Sequence, residues 1–224
     1  MQPTYNFLLE STEIERNRLL SNPFIQHGLA GDLSTQSYLS FLEQAYHHVK
    51  HTVPLLMACG SRIPFEKEWL RNAIAEYIEE ELGHQEWILN DIRNCGGDAD
   101  QVRDGRPSIS TEMMVAYAYY TIDRINPIGF LGMVLVLEGT SIRAASAAAE
   151  ALSKRLNLED ECFTYLSSHG ALDLSHMDFY EGLVNRITDV SERQILLDSS
   201  QRFYRLYNDI FTSLPLTLNE EVVA

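Results

Sequence analysis

The chain has 224 residues, enough for one well-buried core and short for two, so it is read as a single domain over 1–224. Its 45% hydrophobic and 22% charged content is that of a folded globular protein. With 32 acidic residues against 17 Lys and Arg, the net charge of −15 argues against a nucleic-acid partner.

Helical spacing dominates, and alternating strand patterns joined by Asn-Gly or Asp-Gly turns are missing, so the fold class predicted is all-α. A first helix is expected over 4–20, stopped by Ser21-Asn22-Pro23, then a connector over 24–33. Ser34 is a suitable N-cap for a second helix through Val49, broken near Pro54. The third helix is predicted over 65–94, ending at Cys95-Gly96-Gly97, and a polar loop over 98–107 follows. A fourth helix runs from 110 to 126, and a fifth, very apolar one from 128 to 152, whose small residues 144–149 allow a neighbour to approach closely. Further helices are expected over 159–168, 169–187 and 191–214. Cys59, Cys95 and Cys162 form no CxxC spacing, which fits a reducing cytoplasm better than a disulfide framework or zinc finger. The N-terminus lacks the basic start and apolar block of a signal peptide. The longest uninterrupted apolar stretch, 128–137, is about half a membrane span, so no membrane partner is expected.

An unpaired buried carboxylate is costly, so ionisable residues on faces that should be buried carry information. In the third helix, Glu81 points into an apolar arc of Ile74, Ile78, Leu82, Ile88 and Leu89, with His84 on its flank, whereas Glu79, Glu80 and Glu86 point elsewhere. Glu138 lies in a segment apolar all round; an ion pair with Arg143 or Arg124 is its structural alternative. His169, Asp173 and His176, spaced by four and three, fall within about 60° of one helix face. Glu43 is in register with His47 and His51, and His48 lies off that face.

In chain order these are Glu43, a Glu-x-x-His (Glu81, His84), Glu138, His169 and an Asp-x-x-His (Asp173, His176). A carboxylate-bridged site for two iron or manganese ions in a helical bundle needs this inventory. Carboxylates bridge two cations and offset their charge, while imidazoles favour iron-type metals and leave positions open for dioxygen.

The sequence resembles the heme-oxygenase-like diiron oxidases, in the superfamily that also holds thiaminase-II-like and PQQ-biosynthesis-oxidase-like proteins. The shared N-terminal features are Asn22-Pro23-Phe24, Gly31-Asp32-Leu33-Ser34, Tyr38-Leu39-Ser40-Phe41-Leu42 and Gln44-Ala45-Tyr46; the discriminating ones are Glu81 and His84, Glu138, and the H-x3-D-x2-H element from His169 to His176. The likeness covers roughly residues 20–212. It implies a bundle of about seven to eight helices, in a homodimer, with two Fe(II) ions (or manganese in their place) held by Glu81, His84, Glu138, His169, Asp173 and His176. A first-helix carboxylate that completes the second metal site in some members corresponds to Glu43, with His47 as the neighbouring alternative. It further implies dioxygen as cosubstrate and a peroxo-bridged intermediate that oxidises a small molecule of biosynthesis, first an amino acid or its derivative. The short Glu-x-x-His is similar to the member that decarboxylates fatty acids to terminal alkenes, which makes a fatty acid the second substrate class. Candidate cavity residues under this resemblance are Tyr46, Phe130, Met133, Phe179 and Tyr180, although aromatic and Met residues at helical spacing are more often plain core.

Three other readings are weighed. A metal-free thiaminase-II-like hydrolase needs a nucleophilic cysteine and a first-helix Asp, but Ala45 stands at that Asp position and no cysteine has a matching context. A non-catalytic metal-binding protein would use the same ligands, separated by substrate-dependent oxygen consumption. A ferritin-like four-helix bundle is the second architecture.

Overall fold

Side-chain caps at Asn22, Ser34, Asp98, Ser108 and Asp189 set where several of the helices begin. The structure, a computed structural model, describes residues 2–219, and 171–174 as helical backbone only. The expected first helix is two, α1 (Thr4–Ser11) and α2 (Glu13–Leu20). Between them the buried Thr12 hydroxyl turns back onto the Leu8 carbonyl at 2.8 Å, a bond that bends helices. Asn22 accepts the Phe24 N–H at 3.0 Å and Pro23 takes the first helical position, so the expected connector is instead α3 (Pro23–Ala30). Ser34 caps α4 (Thr35–Val49) as expected, and α5 (Thr52–Gly60) accommodates Pro54 in its first turn, where a missing N–H costs nothing.

The largest departure lies in 65–94, which is not one helix. α6 (Glu68–Glu81) stops, Leu82 turns extended, Gly83 takes φ +90°, and α7 (His84–Asn94) begins. That φ suits glycine alone among common residues, so an isolated Gly in an otherwise helical pattern marks a real break here. Leu82 is thereby turned out of its expected buried arc and is 62% exposed.

α8 (Ala99–Asp104) forms within the predicted polar loop, capped by Asp98. α9 (Ile109–Tyr120) runs into a π-helical turn, Thr121–Ile125, and a 3-10 turn, Pro127–Phe130, leads into α10 (Leu131–Leu156). The two helices expected over 159–187 are a short 3-10 turn and one long α11 (Thr164–Val184). α12 (Val190–Ser213) is capped by Asp189. The all-α class holds: among the described residues, β pairing is confined to one bridge, Leu33 with Leu218. The twelve α-helices among the described residues exceed the expected seven to eight because of the extra breaks and of α3 and α8.

α10 is the central element, packed on α11, α12 and α3, while α7 packs on α4 and α11. Residues 127–156 are long and apolar enough to cross a bilayer, and 61% of the tested window is buried inside the fold, as in a core helix. The small-residue run of α10 works as expected, since a Cβ on Gly170 of α11 would collide with Ser146 of α10. This contact sets the distance between the two helices that carry Glu138 and His169.

Candidate metal centre

Four helices deliver the polar groups. Glu81 is the last residue of α6 and His84 the first of α7, so the Gly83 break, rather than a continuous helix, folds the two side chains together; His84 Nδ1 lies 3.1 Å from Glu81 Oε2. His169 and His176 share one face of α11, and Glu138 projects from the middle of α10. They form two groups whose ligand atoms lie within 4.8 Å of one another: Glu81 with His84 and His169, and Glu81 with Glu138 and His176. Glu81 belongs to both. Its Oε2 faces His84, and its Oε1 lies 3.9 Å from His176 Nδ1, which is itself 3.8 Å from Glu138 Oε1. Opposite oxygens of one carboxylate thus address opposite groups.

These side chains are largely withdrawn from water: 6% exposure for His84 and His176, 9% for Glu81 and 12% for Glu138. Burial pushes the Glu81 carboxyl up, but the His84 hydrogen bond and the charges of His84, His169 and His176 outweigh it and hold the carboxyl below its ordinary value. His169 Nδ1 lies 3.3 Å from the Tyr165 carbonyl, which favours the tautomer with its lone pair at Nε2. Trp87 stacks on His84 with ring centroids 4.0 Å apart and meets His169 edge-on. Tyr77 and Tyr180 are buried, and burial followed by the Glu138 charge pushes both phenols up; Tyr180 donates to the Leu131 carbonyl at 2.9 Å.

The donor set fits a pair of divalent transition ions: hard carboxylate oxygens shared between two groups, imidazole nitrogens on each, and an apolar surround. Of the expected ligands, Glu81, His84, Glu138, His169 and His176 come together. Asp173 lies outside the residues whose side chains are described. Glu43 stays apart: it is half-buried on α4, its carboxyl raised by burial, and belongs to neither group. The α4 face lining the site's cavity carries Tyr38, Phe41 and His48, and Glu43 is five residues from two of these, about 140° around the helix. His47 is buried beside Lys50 Nζ at 3.1 Å and does not line the cavity.

That cavity, of about 150 Å³, has Glu81, Glu138 and His169 in its wall and is otherwise largely apolar, with Phe24, Ile25, Leu137 and Phe211. Of the residues expected there, Phe130 and Met133 line it, whereas Tyr46, Phe179 and Tyr180 do not; Tyr180 is fully buried in the core. His48 is the cavity residue the sequence did not single out. It is 3% exposed, its Nδ1 has no hydrogen-bond partner, and burial followed by the charge of His169 pushes its pKa down to about 3. Between that value and the ordinary 6.5 the unfolded chain binds the proton and the folded one does not, so stability falls as pH drops through this window. By pH 5 the loss is about 2 kcal/mol relative to neutral pH. Urea unfolding at pH 7 and pH 5 is expected to show a smaller acid loss, by about that amount, in His48→Phe than in the parent; an equal loss would refute the assignment to His48.

A family model described as iron-containing redox enzyme matches residues 39–208. Among solved structures, a protein from Shewanella denitrificans with a heme oxygenase-like fold is 21% identical, covers 93% of this chain and 90% of its own, and superposes with a TM-score of 0.82. A TenA homolog from Pseudomonas syringae is 13% identical over 93% of this chain and 91% of its own, at 0.78. The heme oxygenase from Leptospira interrogans is 18% identical over 95% of this chain and 100% of its own, at 0.76. No curated protein sequence matches the chain. These identities support a shared fold and nothing finer, and that fold is the heme-oxygenase-like helical bundle. The family match, spanning more than half of the sequence over the helices that bear Glu81, His84, Glu138, His169 and His176, shows that the chain belongs to the iron-containing redox enzymes.

Proposed function

We propose that this protein is a nonheme diiron oxidase or oxygenase that consumes dioxygen and oxidises a small molecule. The observation that carries the reading is Glu81, whose two carboxylate oxygens face two separate ligand groups, the arrangement a bridging carboxylate requires. When bound, a pair of ferrous ions supplies the electrons that reduce dioxygen. The chain's part is to set the ligand geometry through α6, α7, α10 and α11, to keep water out with Phe130, Met133 and Leu137, and to fix the imidazoles by their outer contacts.

The cavity bears on substrate. Among its described lining residues there is no Lys or Arg, and its carboxylates are Glu81 and Glu138, both committed to metal in this reading. Among the described residues a free amino acid's ammonium would find no carboxylate left uncommitted to metal, and burying it unpaired is expensive. An apolar carboxylate avoids that cost, because Glu81 and Glu138, the carboxylates among the described ligands, offset only part of the charge of two divalent ions and leave the rest to meet its head group. A space of about 150 Å³ takes an apolar body roughly the size of benzene before side chains move. The lining therefore favours the fatty-acid class over the amino-acid class. A thiaminase-like hydrolase is disfavoured, because Cys59 and Cys162 are buried, no cysteine lines the cavity, and burial raises all three thiols, Cys59 to about 12. Action in the cytoplasm without nucleic acid or membrane belongs to the same proposal and is supported by the net charge, the cysteine usage and the short apolar stretch, while a homodimer is what the family resemblance implies.

Anaerobic ferrous titration followed by oxygen exposure with a panel of amino acids and medium-chain carboxylates tests it. Two irons per chain and oxygen uptake accelerated by an apolar carboxylate are expected. No iron uptake would overturn the metal reading, and acceleration by an amino acid alone would overturn the substrate preference.

A further inference from the structure

The last turn of α6 carries two adjacent carboxylates that go to opposite sides of His176. Glu81 Oε1 lies 3.9 Å from His176 Nδ1, and Glu80 Oε2 lies 3.3 Å from His176 Nε2. The histidine is buried, with 6% of its side chain exposed, whereas Glu80 is 45% exposed. Sequence periodicity turns Glu80 away from the apolar arc and marks it as one member of a solvated acidic run. The break at Gly83 ends α6 beside α11, where that outward residue meets the outer edge of a buried imidazole.

An imidazole that gives one nitrogen to a metal carries its proton on the other, and that N–H needs an acceptor. The carboxylate oxygens of Glu81 and Glu138 stand 3.9 and 3.8 Å from Nδ1, a spacing that accommodates an ion among the three, which makes Nδ1 the nitrogen turned to the metal position and leaves Nε2 on the outer side, 3.3 Å from Glu80 Oε2. His169, in the other group, has a backbone carbonyl in the corresponding outer position. The two metal positions are thus unequal: one has a histidine backed by a neutral acceptor, the other a histidine backed by a carboxylate, which makes its ring a stronger ligand.

We propose that Glu80 is a positioning residue that accepts the Nε2–H hydrogen bond of His176 and so orients and strengthens this ligand at the Glu81–Glu138–His176 position. The inference rests on the dinuclear reading above. It is tested on the full chain with Mn(II) titrated calorimetrically, and with Co(II)-loaded protein in which exchangeable imidazole protons are followed by paramagnetic NMR. In Glu80→Ala one of the two metal affinities falls by about 10- to 100-fold while the other holds. One shifted imidazole N–H also begins to exchange rapidly with water, and Glu80→Gln, whose amide oxygen still accepts, recovers part of both effects. Parent affinities for both ions with a protected N–H in Glu80→Ala would overturn the proposal, and so would equal weakening of both ions. A parent protein that binds no Mn(II) or Co(II) would overturn the dinuclear reading and this inference with it, a failure distinct from two-metal binding that is indifferent to Glu80.

Discussion

Glu81→Ala is expected to abolish binding of both metal ions, whereas His84→Ala and Glu138→Ala are each expected to spare one. The difference follows from membership: Glu81 is shared by the two groups, His84 belongs to one and Glu138 to the other. Loss of an outer hydrogen-bond partner already costs about 10- to 100-fold in affinity, so loss of a direct ligand is expected to exceed about a hundredfold, and at Glu81 it is felt twice. Glu81 stands at the end of α6, next to a break already imposed by Gly83, so its truncation removes no helical hydrogen bond and the helix content stays near that of the parent. Metal analysis after anaerobic ferrous loading, with circular dichroism as a control on the fold, reads the outcome directly. Two tightly held irons in Glu81→Ala would show that the carboxylate is not a bridge, and a complete loss in His84→Ala would show that the positions are filled only together.

The residues of the candidate site are legible because the sequence puts charge where apolar residues belong. Glu138 stands out in the most apolar segment of the chain, and His169 and His176 keep helical register along α11, so one-dimensional periodicity sufficed for them. Helical spacing brings Glu81 and His84 together on one continuous helix, whereas in the fold the chain breaks at Gly83 and the two meet across the break. A glycine in an acidic helical pattern reads as tolerated, and only the packing of α7 against α4 and α11 decides that it is a hinge between two helices. Glu43 shows the opposite limit: its register with His47 and His51 is real, but periodicity does not say which side of α4 faces the site, and the side that does carries His48. Glu80 was hidden for the same reason. Its partner lies ninety-six residues away on α11, and no local pattern encodes that contact.

Asp91 links the fold to the site, and Asp91→Ala is expected to cost about 3 kcal/mol of stability and to weaken metal binding. The residue is fully buried on α7, one helix turn beyond Trp87. Its carboxylate accepts the backbone N–H groups of Thr164 at 3.2 Å and Tyr165 at 2.8 Å and a short bond from the Thr164 hydroxyl, so it caps the start of α11 from a different helix. Truncation leaves two N–H groups near the base of α11 without this acceptor, at about 1–3 kcal/mol each where water cannot reach them. For a chain of this size that loss corresponds to a fall of about 6–12 °C in Tm. Burial exceeds the hydrogen bonds in its effect on this carboxyl and raises its pKa. The folded protein therefore binds the proton more readily than the unfolded chain, and ionisation at neutral pH is already paid against stability; the contribution falls as pH rises from the ordinary carboxylate value through the raised one, then stays level. Asp91→Asn removes that charge and keeps one acceptor oxygen, so it is expected to lose less than Asp91→Ala, and the gap between Asn and Asp is expected to narrow at pH 7 relative to pH 3. Because α11 carries His169 five residues beyond Thr164, a displaced helix start moves that ligand, and ferrous affinity is expected to fall in Asp91→Ala in proportion to the lost stability. Thermal unfolding and ferrous titration on the same samples separate the two effects: a destabilised variant with parent metal affinity would show that the α7–α11 cap holds the fold without setting the ligand geometry.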